Sequence, residues 1–448
     1  MKKQLQTIIL LGAISVSSMN AQTWSAVGTG VRGTAANVAS MGVFGGELYV
    51  GGGFDTAGSV ESFNLAKWNG TTWSVGNSGL TISTAFGVSA MTNFNTQLIA
   101  GGTSFASGAS QDVATWNGTT WGPLTTGIYG SGYLNCLAVF NGELYVGGSF
   151  VKAGGVTASN IAKWNGSSWS AVGTGTNGEV FALGVCNNAL YIGGSFTSAG
   201  GTASPCIAKW NGTSYSAMST GATGGNVYAF ATIGTDLYVG GDFTSIGTIG
   251  TPKGVVKWNG SAFSALGSGV IGSLNVGTVF ALTVYNGNLI AGGSFSSSGL
   301  SSFDGVAKWN GSTWLALGSG DDASGSVRAL CVYNSSLYMG GDFISAGGNS
   351  VNHIAKWTEP NGVTENYFES GITIYPNPFS SETTIEFNEL QKNTTVKLID
   401  IVGKEIKTVV LKDENKLTIE KGNLKAGIYF LEMKDENYNT VNKKIVIQ

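Results

Sequence analysis

The residue types that most often carry out chemistry are scarce in this sequence. His353 is the only histidine, and Arg32 and Arg328 are the only arginines. One histidine cannot form a multi-histidine copper or zinc site, and nothing around it resembles a Ser-His-Asp triad. Two arginines are too few for the cluster that clamps a carboxylate in sialidase-type sites. We therefore expect no catalytic residues, and we interpret His353 as a loop residue.

Carboxylates are the remaining candidates for chemistry. Asp242 and Asp342 each follow a Gly-Gly pair, whereas Asp304, Asp321 and Asp322 lie in connecting segments. A glycosidase needs two carboxyl groups about 5–10 Å apart. Calcium favours oxygen ligands, so Asp321 and Asp322 could help to bind it, although no EF-hand-like loop supports such a site. We expect solvated turn carboxylates and no cofactor, with calcium as the open alternative.

The cysteines show no arrangement that predicts a metal site or a redox pair. Cys136, Cys186, Cys206 and Cys331 form no CxxC motif and no zinc-type set. We interpret them as small, buried hydrophobic side chains.

Nucleotides and nucleic acids are disfavoured as ligands. A GxGxxG pattern occurs at 28–33, 173–178 and 267–272, but no copy opens a helix within a βαβ unit. The net charge is −3 and the pI is about 5.4, whereas a nucleic-acid partner calls for a basic patch.

A repeat of about 48 residues organises the chain from Trp24 to Trp357. Each copy contains a Gly-Gly pair, which starts at Gly51, Gly101, Gly147, Gly193, Gly240, Gly292 and Gly340. Each also contains a closing tryptophan, at Trp68, Trp116, Trp164, Trp210, Trp258, Trp309 and Trp357. The pattern predicts four short antiparallel strands per copy, which is typical of a β-propeller blade. The chain therefore predicts an all-β, seven-bladed propeller over residues 22–359.

Two features of the repeat predict local geometry. The paired glycines would permit close backbone approach and unusual φ where the sheet bends. Asn-Gly follows six of the seven closing tryptophans and also joins the first two strands at Asn141-Gly142, so we expect type I′ turns with positive φ at both residues. The tryptophans recur at two repeat positions, which favours packing between neighbouring blades.

The seventh copy lacks a fourth strand after Trp357. A matching segment, Trp24-Ser-Ala-Val-Gly, stands alone before the first copy. We expect it to complete the last blade and close the ring, which leaves no open edge between the first and last blades. The paired glycines and the tryptophans resemble kelch-type propellers. The LYVGGxF and IAKWNGxxW spellings resemble repeats of fungal cortical polarity marker proteins. This resemblance implies a fold and no particular activity.

A second domain is predicted at residues 372–448, after a linker at 360–371. Its alternating segments, such as TVKLIDI and GIYFLEM, favour a small Ig-like β-sandwich. Its motifs resemble the type A C-terminal sorting domain of the type IX secretion system. The residues that carry this resemblance are Tyr375, Pro376, Asn377, Pro378, Gly403, Gly427, Tyr429 and Lys444.

The resemblance to the sorting domain implies a route of export in a Bacteroidota-type cell. The implied partners are the type IX secretion machinery, its cysteine-protease sortase and an anionic lipopolysaccharide anchor. Residues 1–21 read as a signal peptide, with Lys2 and Lys3 before an apolar stretch. No other segment is long enough to span a bilayer. We expect a mature protein that is secreted across the outer membrane and is either attached to the cell surface or extracellular.

A non-enzymatic binding or adhesion module is the leading functional hypothesis. The ligand, a glycan or an extracellular-matrix component, would meet the loops after the Gly-Gly pairs, including 54–62, 150–159 and 196–205, because these loops vary while the strands do not. A structural surface protein without a small ligand and a polysaccharide hydrolase or lyase are the alternatives.

Overall fold

The fold is known from a computed structural model of the chain, which describes residues 23–359 and 372–448. Residues 79, 83–86, 107–110, 125–126, 130–132, 273–276, 300, 319–324, 402 and 435–439 lie outside the description. So do the predicted signal peptide, the predicted linker, Asp321 and Asp322. All regular secondary structure in the described ranges is β-strand. The chain divides into two compact units, with the boundary after Pro360.

The first unit consists of small antiparallel sheets, numbered in chain order. Sheets 1 to 3 contain the strands Ser40–Phe44, Glu47–Gly51, Leu65–Trp68 and Trp73–Val75; Val88–Phe94, Gln97–Ala106, Gln111–Trp116 and Trp121–Pro123, with Thr81–Ile82 on the second strand; and Tyr133–Phe140, Glu143–Ser149, Ile161–Trp164 and Trp169–Ala171. Sheets 4 to 6 contain Val180–Cys186, Ala189–Gly194, Ile207–Trp210 and Tyr215–Ala217; Val227–Ile233, Asp236–Gly241, Val255–Trp258 and Phe263–Ala265; and Thr278–Tyr285, Asn288–Ser294, Val306–Trp309 and Trp314–Ala316.

Sheet 7 combines strands from the two ends of the first unit. Val327–Tyr333, Ser336–Gly341 and Ile354–Thr358 pair in sequence, and Thr23–Ala26 adds as the fourth strand. Trp24 lies opposite Trp357 in this pairing. The expected pairing of the N-terminal segment with the seventh copy is therefore confirmed.

Each sheet contacts the next one along the chain through its first strand, and the first strand of sheet 7 contacts that of sheet 1. This last contact is made by backbone and side chains. The Val38 amide donates to the Gly341 carbonyl at 3.1 Å, and the Tyr333 hydroxyl donates to the Gly46 carbonyl at 2.9 Å. Buried residues of sheets 1 and 7 belong to one hydrophobic cluster.

The repeated aromatic residues pack as expected. In every sheet the closing tryptophan faces the aromatic residue of the fourth strand, with ring centroids 4.6–5.4 Å apart. Several of these fourth-strand aromatic residues also donate a hydrogen bond to the preceding sheet. The acceptor is the carbonyl of the residue that directly follows the fourth strand of that sheet. Trp73 Nε1 donates to Val27 at 2.9 Å, and the Tyr215 hydroxyl donates to Val172 at 2.9 Å. The aromatic pairs thus tie neighbouring sheets together.

The two kinds of Asn-Gly turn differ in geometry. Asn141 and Gly142 both have positive φ, as a type I′ turn requires. The type I′ prediction is wrong for the turns after the closing tryptophans, where only the glycine, such as Gly70, has positive φ. Four residues separate the paired aromatics there, and the Asn69 side chain accepts the amides of Thr71 and Thr72. These hydrogen bonds of the asparagine side chain stabilise the turn without a positive φ at the asparagine.

Short ribbons of two-residue strands accompany six of the sheets. Each ribbon contains a strand that follows a Gly-Gly pair, and three ribbons also include a strand that precedes the first strand of the sheet. Their strands are Val31–Arg32, Thr56–Ala57 and Val60–Glu61; Ile128–Tyr129, Lys152–Ala153 and Val156–Thr157; Ser198–Ala199 and Thr202–Ala203; Ala222–Thr223 and Ser245–Ile246; Ser297–Ser298 and Ser301–Ser302; and Ser345–Ala346 and Asn349–Ser350.

The second unit is a five-stranded antiparallel sheet. The strands are Ile372–Tyr375, Glu382–Asp400, Glu405–Glu420, Gly427–Lys434 and Thr440–Ile447. The long strand Glu382–Asp400 pairs with three others and has several irregularities, between Glu386 and Gln391 among other places. Its alternating apolar residues face one buried cluster. The two-layer sandwich stays a prediction.

Candidate ligand-binding site

A β-bulge recurs at the start of the first strand in sheets 2 to 7. In sheet 5, the pairing register shifts between Val227 and Ala229, so that Tyr228 is the extra residue. The extra residues in the six sheets are Ser89, Asn135, Phe181, Tyr228, Phe280 and Arg328. A bulge redirects a side chain out of the alternating pattern of the strand. Six side chains are therefore presented at one repeated structural position.

The second glycine of each Gly-Gly pair lies against the backbone that leads into the first strand, and in sheets 2 to 7 this is where the bulge begins. A Cβ atom on Gly194 would overlap the carbonyl oxygen of Glu179, and one on Gly241 would overlap that of Asn226. The same overlap occurs in all seven sheets. The predicted close backbone approach is confirmed, but the predicted unusual φ is wrong, because neither of these glycines has a positive φ.

Four of the bulge residues form a continuous surface, which we call the aromatic arc: Phe181, Tyr228, Phe280 and Arg328. The ring centroids of Phe181 and Tyr228 are 5.1 Å apart, and those of Tyr228 and Phe280 are 5.6 Å apart. The Arg328 guanidinium carbon lies 5.3 Å from the centre of the Phe280 ring. The three rings are partly exposed and Arg328 is exposed. The arc crosses four consecutive sheets, which suits an extended ligand.

Three carboxylates border the arc. Glu179 accepts hydrogen bonds from Asn135 Nδ2 at 2.8 Å and from the Tyr133 hydroxyl at 3.2 Å. Asp242 accepts the Asn226 amide at 2.5 Å and lies 3.5 Å from the Tyr228 hydroxyl. The third, Asp342, binds Arg328 at 2.7–2.9 Å through Nε and Nη2.

The electrostatics of the arc keep its phenol protonated. Burial raises the pKa of Tyr228 above its ordinary value; a hydrogen bond from Asn226 opposes the shift, and the carboxylates of Asp242 and Glu179 add to it. Burial and then Glu179 also raise the pKa of Tyr133. Both tyrosines are therefore hydrogen-bond donors at neutral pH and not bases.

The sequence pointed to only part of this site. Of the carboxylate candidates, Asp242 and Asp342 lie beside the arc, whereas Asp304 precedes the third strand of sheet 6. The loops after the Gly-Gly pairs lie at the same end of the sheets, because the first strand begins opposite the end of the second. The aromatic residues were missed. The sequence signal for them is variation among the copies. Phe181 and Tyr228 occupy a position whose residue differs from copy to copy, whereas the valine before it and the alanine after it are nearly constant.

The cysteines show no paired chemistry. All four are free thiols; Cys136 and Cys186 are buried, and Cys206 and Cys331 are half-buried. Burial raises the pKa of Cys331 to about 11. Within the described ranges, no group of three or more His, Cys, Asp or Glu side chains could hold a metal ion.

His353 is the last residue before the third strand of sheet 7 and is strained. Its φ is +71°, its Nδ1 atom is buried without a hydrogen-bond partner, and asparagine occupies the same place at Asn64 and Asn160 with φ of +63° and +65°. Asparagine tolerates this conformation better than histidine does. We expect His353→Asn to raise the free energy of unfolding at pH 7 by about 0.5 kcal/mol, measured by urea denaturation.

The pH dependence of stability provides a second readout for the same variant. Burial lowers the pKa of His353, so the folded state favours the neutral ring while the unfolded chain takes up a proton near pH 6.5. The contribution of the neutral His353 ring to the free energy of unfolding is therefore fully present above about pH 6.5 and is lost as the pH drops below this value. Because there is no other histidine, His353→Asn should remove this slope between about pH 6.5 and 5. If the free energy of unfolding of His353→Asn kept the same slope with pH, the slope would not come from His353.

In the second unit, Asn377 of the predicted sorting residues binds the last strand, Thr440–Ile447. Asn377 Nδ2 donates to the Lys444 carbonyl at 2.9 Å, and Asn377 Oδ1 accepts the Val446 amide at 2.8 Å. Phe379, directly after the motif, is buried and its amide donates to the Val446 carbonyl at 3.0 Å. The Tyr375 hydroxyl donates to the carboxylate of Glu386.

The other predicted sorting residues stabilise turns and strand ends. Gly403 has a φ of +86° and closes a turn, in which its own amide donates to the Asp400 carbonyl at 3.0 Å. Gly427 begins its strand, and the Tyr429 hydroxyl donates to the Lys425 carbonyl at 3.0 Å. The structure therefore brings Asn377 together with Lys444, places Tyr375 beside Glu386 and leaves Gly403 at a separate turn.

Comparison with known proteins identifies this unit. Residues 373–448 match the family described as "Secretion system C-terminal sorting domain". The second unit is a sorting domain. Such domains mark proteins that the type IX secretion system exports, so this protein is located at the cell surface or in the extracellular space. The predicted export route is confirmed. Within the described ranges, no helix is long and apolar enough to cross a membrane.

Two other similarities are limited in extent. An endo-acting ulvan lyase from Formosa agariphila is 32% identical over 82 residues, which span 18% of this chain and 15% of the lyase. A solved structure titled "Structure of YjhT" aligns with 64% of this chain and 99% of its own, at 12% identity and a TM-score of 0.37. This TM-score does not establish a shared fold.

Asn377 is expected to hold the last strand of the sorting domain. Replacing it with alanine removes both hydrogen bonds to that strand, each worth about 1 kcal/mol. We expect hydrogen exchange at the Val446 amide to accelerate about fivefold in Asn377→Ala. Asn377→Asp keeps the oxygen that accepts this amide, so it should preserve the protection. Exchange at the Val446 amide of Asn377→Ala that is as slow as in the native chain would show that Asn377 does not hold the strand.

Proposed function

We propose that the first unit is a closed seven-bladed β-propeller, displayed at the cell surface, which binds a ligand at the aromatic arc without catalysing a reaction. The observation that carries this proposal is the arc itself: three partly exposed rings and an arginine at the same bulge position of four consecutive sheets. Partly exposed aromatic faces beside polar groups are typical of binding sites.

The propeller is supported by strand pairing and by the order of contacts. Seven four-stranded units follow each other along the chain, and the N-terminal strand completes the last. The first strands of consecutive sheets touch, including those of sheets 7 and 1. The first strands would then surround a central channel, with the bulges at one rim. The resemblance to kelch-type repeats agrees with this architecture, as the buried cluster of the sorting domain agrees with a sandwich.

Binding is favoured over catalysis because the polar groups are in unreactive states. The pKa of Tyr228 is raised, so its phenol is a poor base. Arg328 is already neutralised by Asp342. His353 is held neutral by burial, with its Nδ1 atom enclosed. A binding site needs none of these groups to change protonation.

A binding screen tests the proposal. The chain that lacks the predicted signal peptide but keeps the sorting domain, residues 22–448 (the mature chain), would be applied to glycan and extracellular-matrix arrays, and each hit measured by calorimetry with and without calcium. We expect Tyr228→Ala to weaken binding at least tenfold, because it removes stacking surface between two other rings. Leu315→Ala, at an exposed position of the outermost strand of sheet 6, should bind normally. Binding that survives Tyr228→Ala would place the ligand elsewhere.

A polysaccharide-active enzyme is the second candidate, favoured by the similarity to the ulvan lyase. The 82 matched residues are too few to include the seven sheets of the first unit. Incubating the mature chain with ulvan and other algal polysaccharides and measuring new unsaturated or reducing ends tests this candidate. Turnover that is lost in Asp242→Asn would replace the binding proposal with an enzymatic one.

We also propose that the sortase removes the sorting domain and attaches the remainder to an anionic lipopolysaccharide. The sorting domain and its motifs support this step. The mass of the protein isolated from the cell surface would decide it, since a surface protein that retains residues 372–448 contradicts the proposal.

A further inference from the structure

We infer that the aromatic arc selects an uncharged saccharide chain and discriminates against sulfated or uronate-rich glycans. This inference rests on the proposed binding function and specifies the ligand class. It follows from three properties of the arc: its charge, its excess of hydrogen-bond acceptors and its extended apolar surface.

The charge around the arc is negative. Glu179, Asp242 and Asp342 are three carboxylates, and among the described residues Arg328 is the cation that contacts a ring of the arc. Arg328 is bound to Asp342 through two nitrogen atoms, so its charge is already compensated. The charged groups that act on the Tyr228 phenol are both carboxylates. Among the described residues, no ion pair joins Glu179 or Asp242 to a cationic side chain, so an anionic ligand would approach two negative charges.

The arc also requires a ligand that donates hydrogen bonds. An ionised carboxylate only accepts, and its two oxygens offer about four sites. The carboxylate of Glu179 receives two side-chain donors, and that of Asp242 receives one short bond and one long one. Acceptor capacity remains at both. The hydroxyl groups of a sugar are donors that fit these oxygens, whereas sulfate and uronate groups bring further acceptors.

The apolar part of the arc suits the C–H face of sugar rings. Three aromatic rings follow each other at 5.1 and 5.6 Å, with interplanar angles of 41° and 52°. The rings of consecutive sheets adjoin one another, so an extended ligand can contact more than one. A small cation would use one ring, and it would leave the rest of the arc without contact. A chain of neutral sugars offers both C–H faces and hydroxyl donors along its length.

The test compares matched glycans on the mature full chain. Neutral hexasaccharides of glucose, galactose, mannose and xylose would be measured by calorimetry beside their O-sulfated counterparts. We expect at least one neutral probe to bind about tenfold more tightly than its sulfated form at low salt. In Glu179→Gln with Asp242→Asn this difference should fall below about threefold, since amides keep polar contacts without the charge.

Controls separate charge at the arc from overall charge. Glu47→Gln with Glu143→Gln removes two carboxylates that bind Lys67 and Lys163 at the opposite end of the sheets, and it should keep the tenfold difference. Raising the salt concentration to about 0.5 M should reduce the discrimination in the native chain. Equal or tighter binding of the sulfated probes, or no binding of any neutral probe, overturns the inference.

The same data distinguish this inference from the proposed function. If a sulfated probe binds and Tyr228→Ala abolishes its binding, the arc is the site and the ligand class is wrong. If a neutral probe binds equally well to Tyr228→Ala, the proposed site itself is wrong.

Discussion

Trp24→Ala is expected to lower the free energy of unfolding of the first unit by about 4 kcal/mol. Trp24 is buried, its ring lies 5.2 Å from that of Trp357, and its Nε1 donates to the Leu317 carbonyl at 3.1 Å. It anchors a four-residue strand at the edge of sheet 7. Losing the ring should therefore also release the strand. Urea denaturation of the mature chain measures the loss.

Trp314 supplies the matched control. It is equally buried in sheet 6, its ring lies 5.4 Å from that of Trp309, and its Nε1 donates to the Leu266 carbonyl at 3.1 Å. Trp314→Ala should cost about the same packing energy. Only Trp24→Ala should expose to hydrogen exchange those amides of Ile354–Thr358 that face the N-terminal strand, because the other edge of this strand stays paired with Ser336–Gly341. A loss below about 1 kcal/mol for Trp24→Ala would mean that the N-terminal strand is not part of sheet 7.

The strand pattern was predictable because each copy repeats the same local signals. The apolar alternation and the positive-φ turn at Asn141-Gly142 agree within the copy, and Trp164 and Trp169 meet as adjacent strands require. The partner of Trp24 was predictable for a different reason: the seventh copy lacks a fourth strand, and the strand that contains Trp24 supplies it. Local propensity and the missing strand pointed to the same pairing.

The turns after the closing tryptophans and the bulges were not predictable from the same signals. Asn-Gly permits a type I′ turn in a two-residue loop. In the four-residue loop after Trp68, the Asn69 side chain instead accepts hydrogen bonds from two amides. The loop length therefore selects between the type I′ turn and the side-chain cap. A bulge adds one residue to a strand without changing its composition. Phe181 and Tyr228 therefore read as ordinary strand residues until the register with Gly194 and Gly241 is known.

The sorting domain was predictable by resemblance, and its internal contacts were not. Asn377 and Lys444 lie far apart in sequence, and nothing in either residue indicates that the asparagine amide bridges to the last strand. In the sequence, the motif appears only as a sorting signal. In the structure, Asn377 of this motif also forms hydrogen bonds that hold the last strand. Asn377 therefore has a structural role within the motif.

Gly194→Ala connects the repeated glycine pairs to the candidate site. A Cβ atom at Gly194 would overlap the Glu179 carbonyl, which is backbone and cannot move without shifting the bulge at Phe181. Overpacking of this kind costs about 3 kcal/mol. The shift should also displace Phe181 from Tyr228, so ligand affinity should fall in the molecules that remain folded. Urea denaturation and calorimetry with the best ligand measure the two effects.

Gly122 is the matched control because it lies in a strand, has no positive φ and would place its Cβ in open space. Gly122→Ala should be neutral or slightly stabilising, since alanine restricts the unfolded chain more than glycine does. If Gly194→Ala were as stable as Gly122→Ala, the glycine would not be required by the bulge. If it were unstable but bound ligand normally once folded, Phe181 would not belong to the site. Loss of both properties together would establish that the glycine pair, which recurs in every copy, shapes the rim on which the ligand binds.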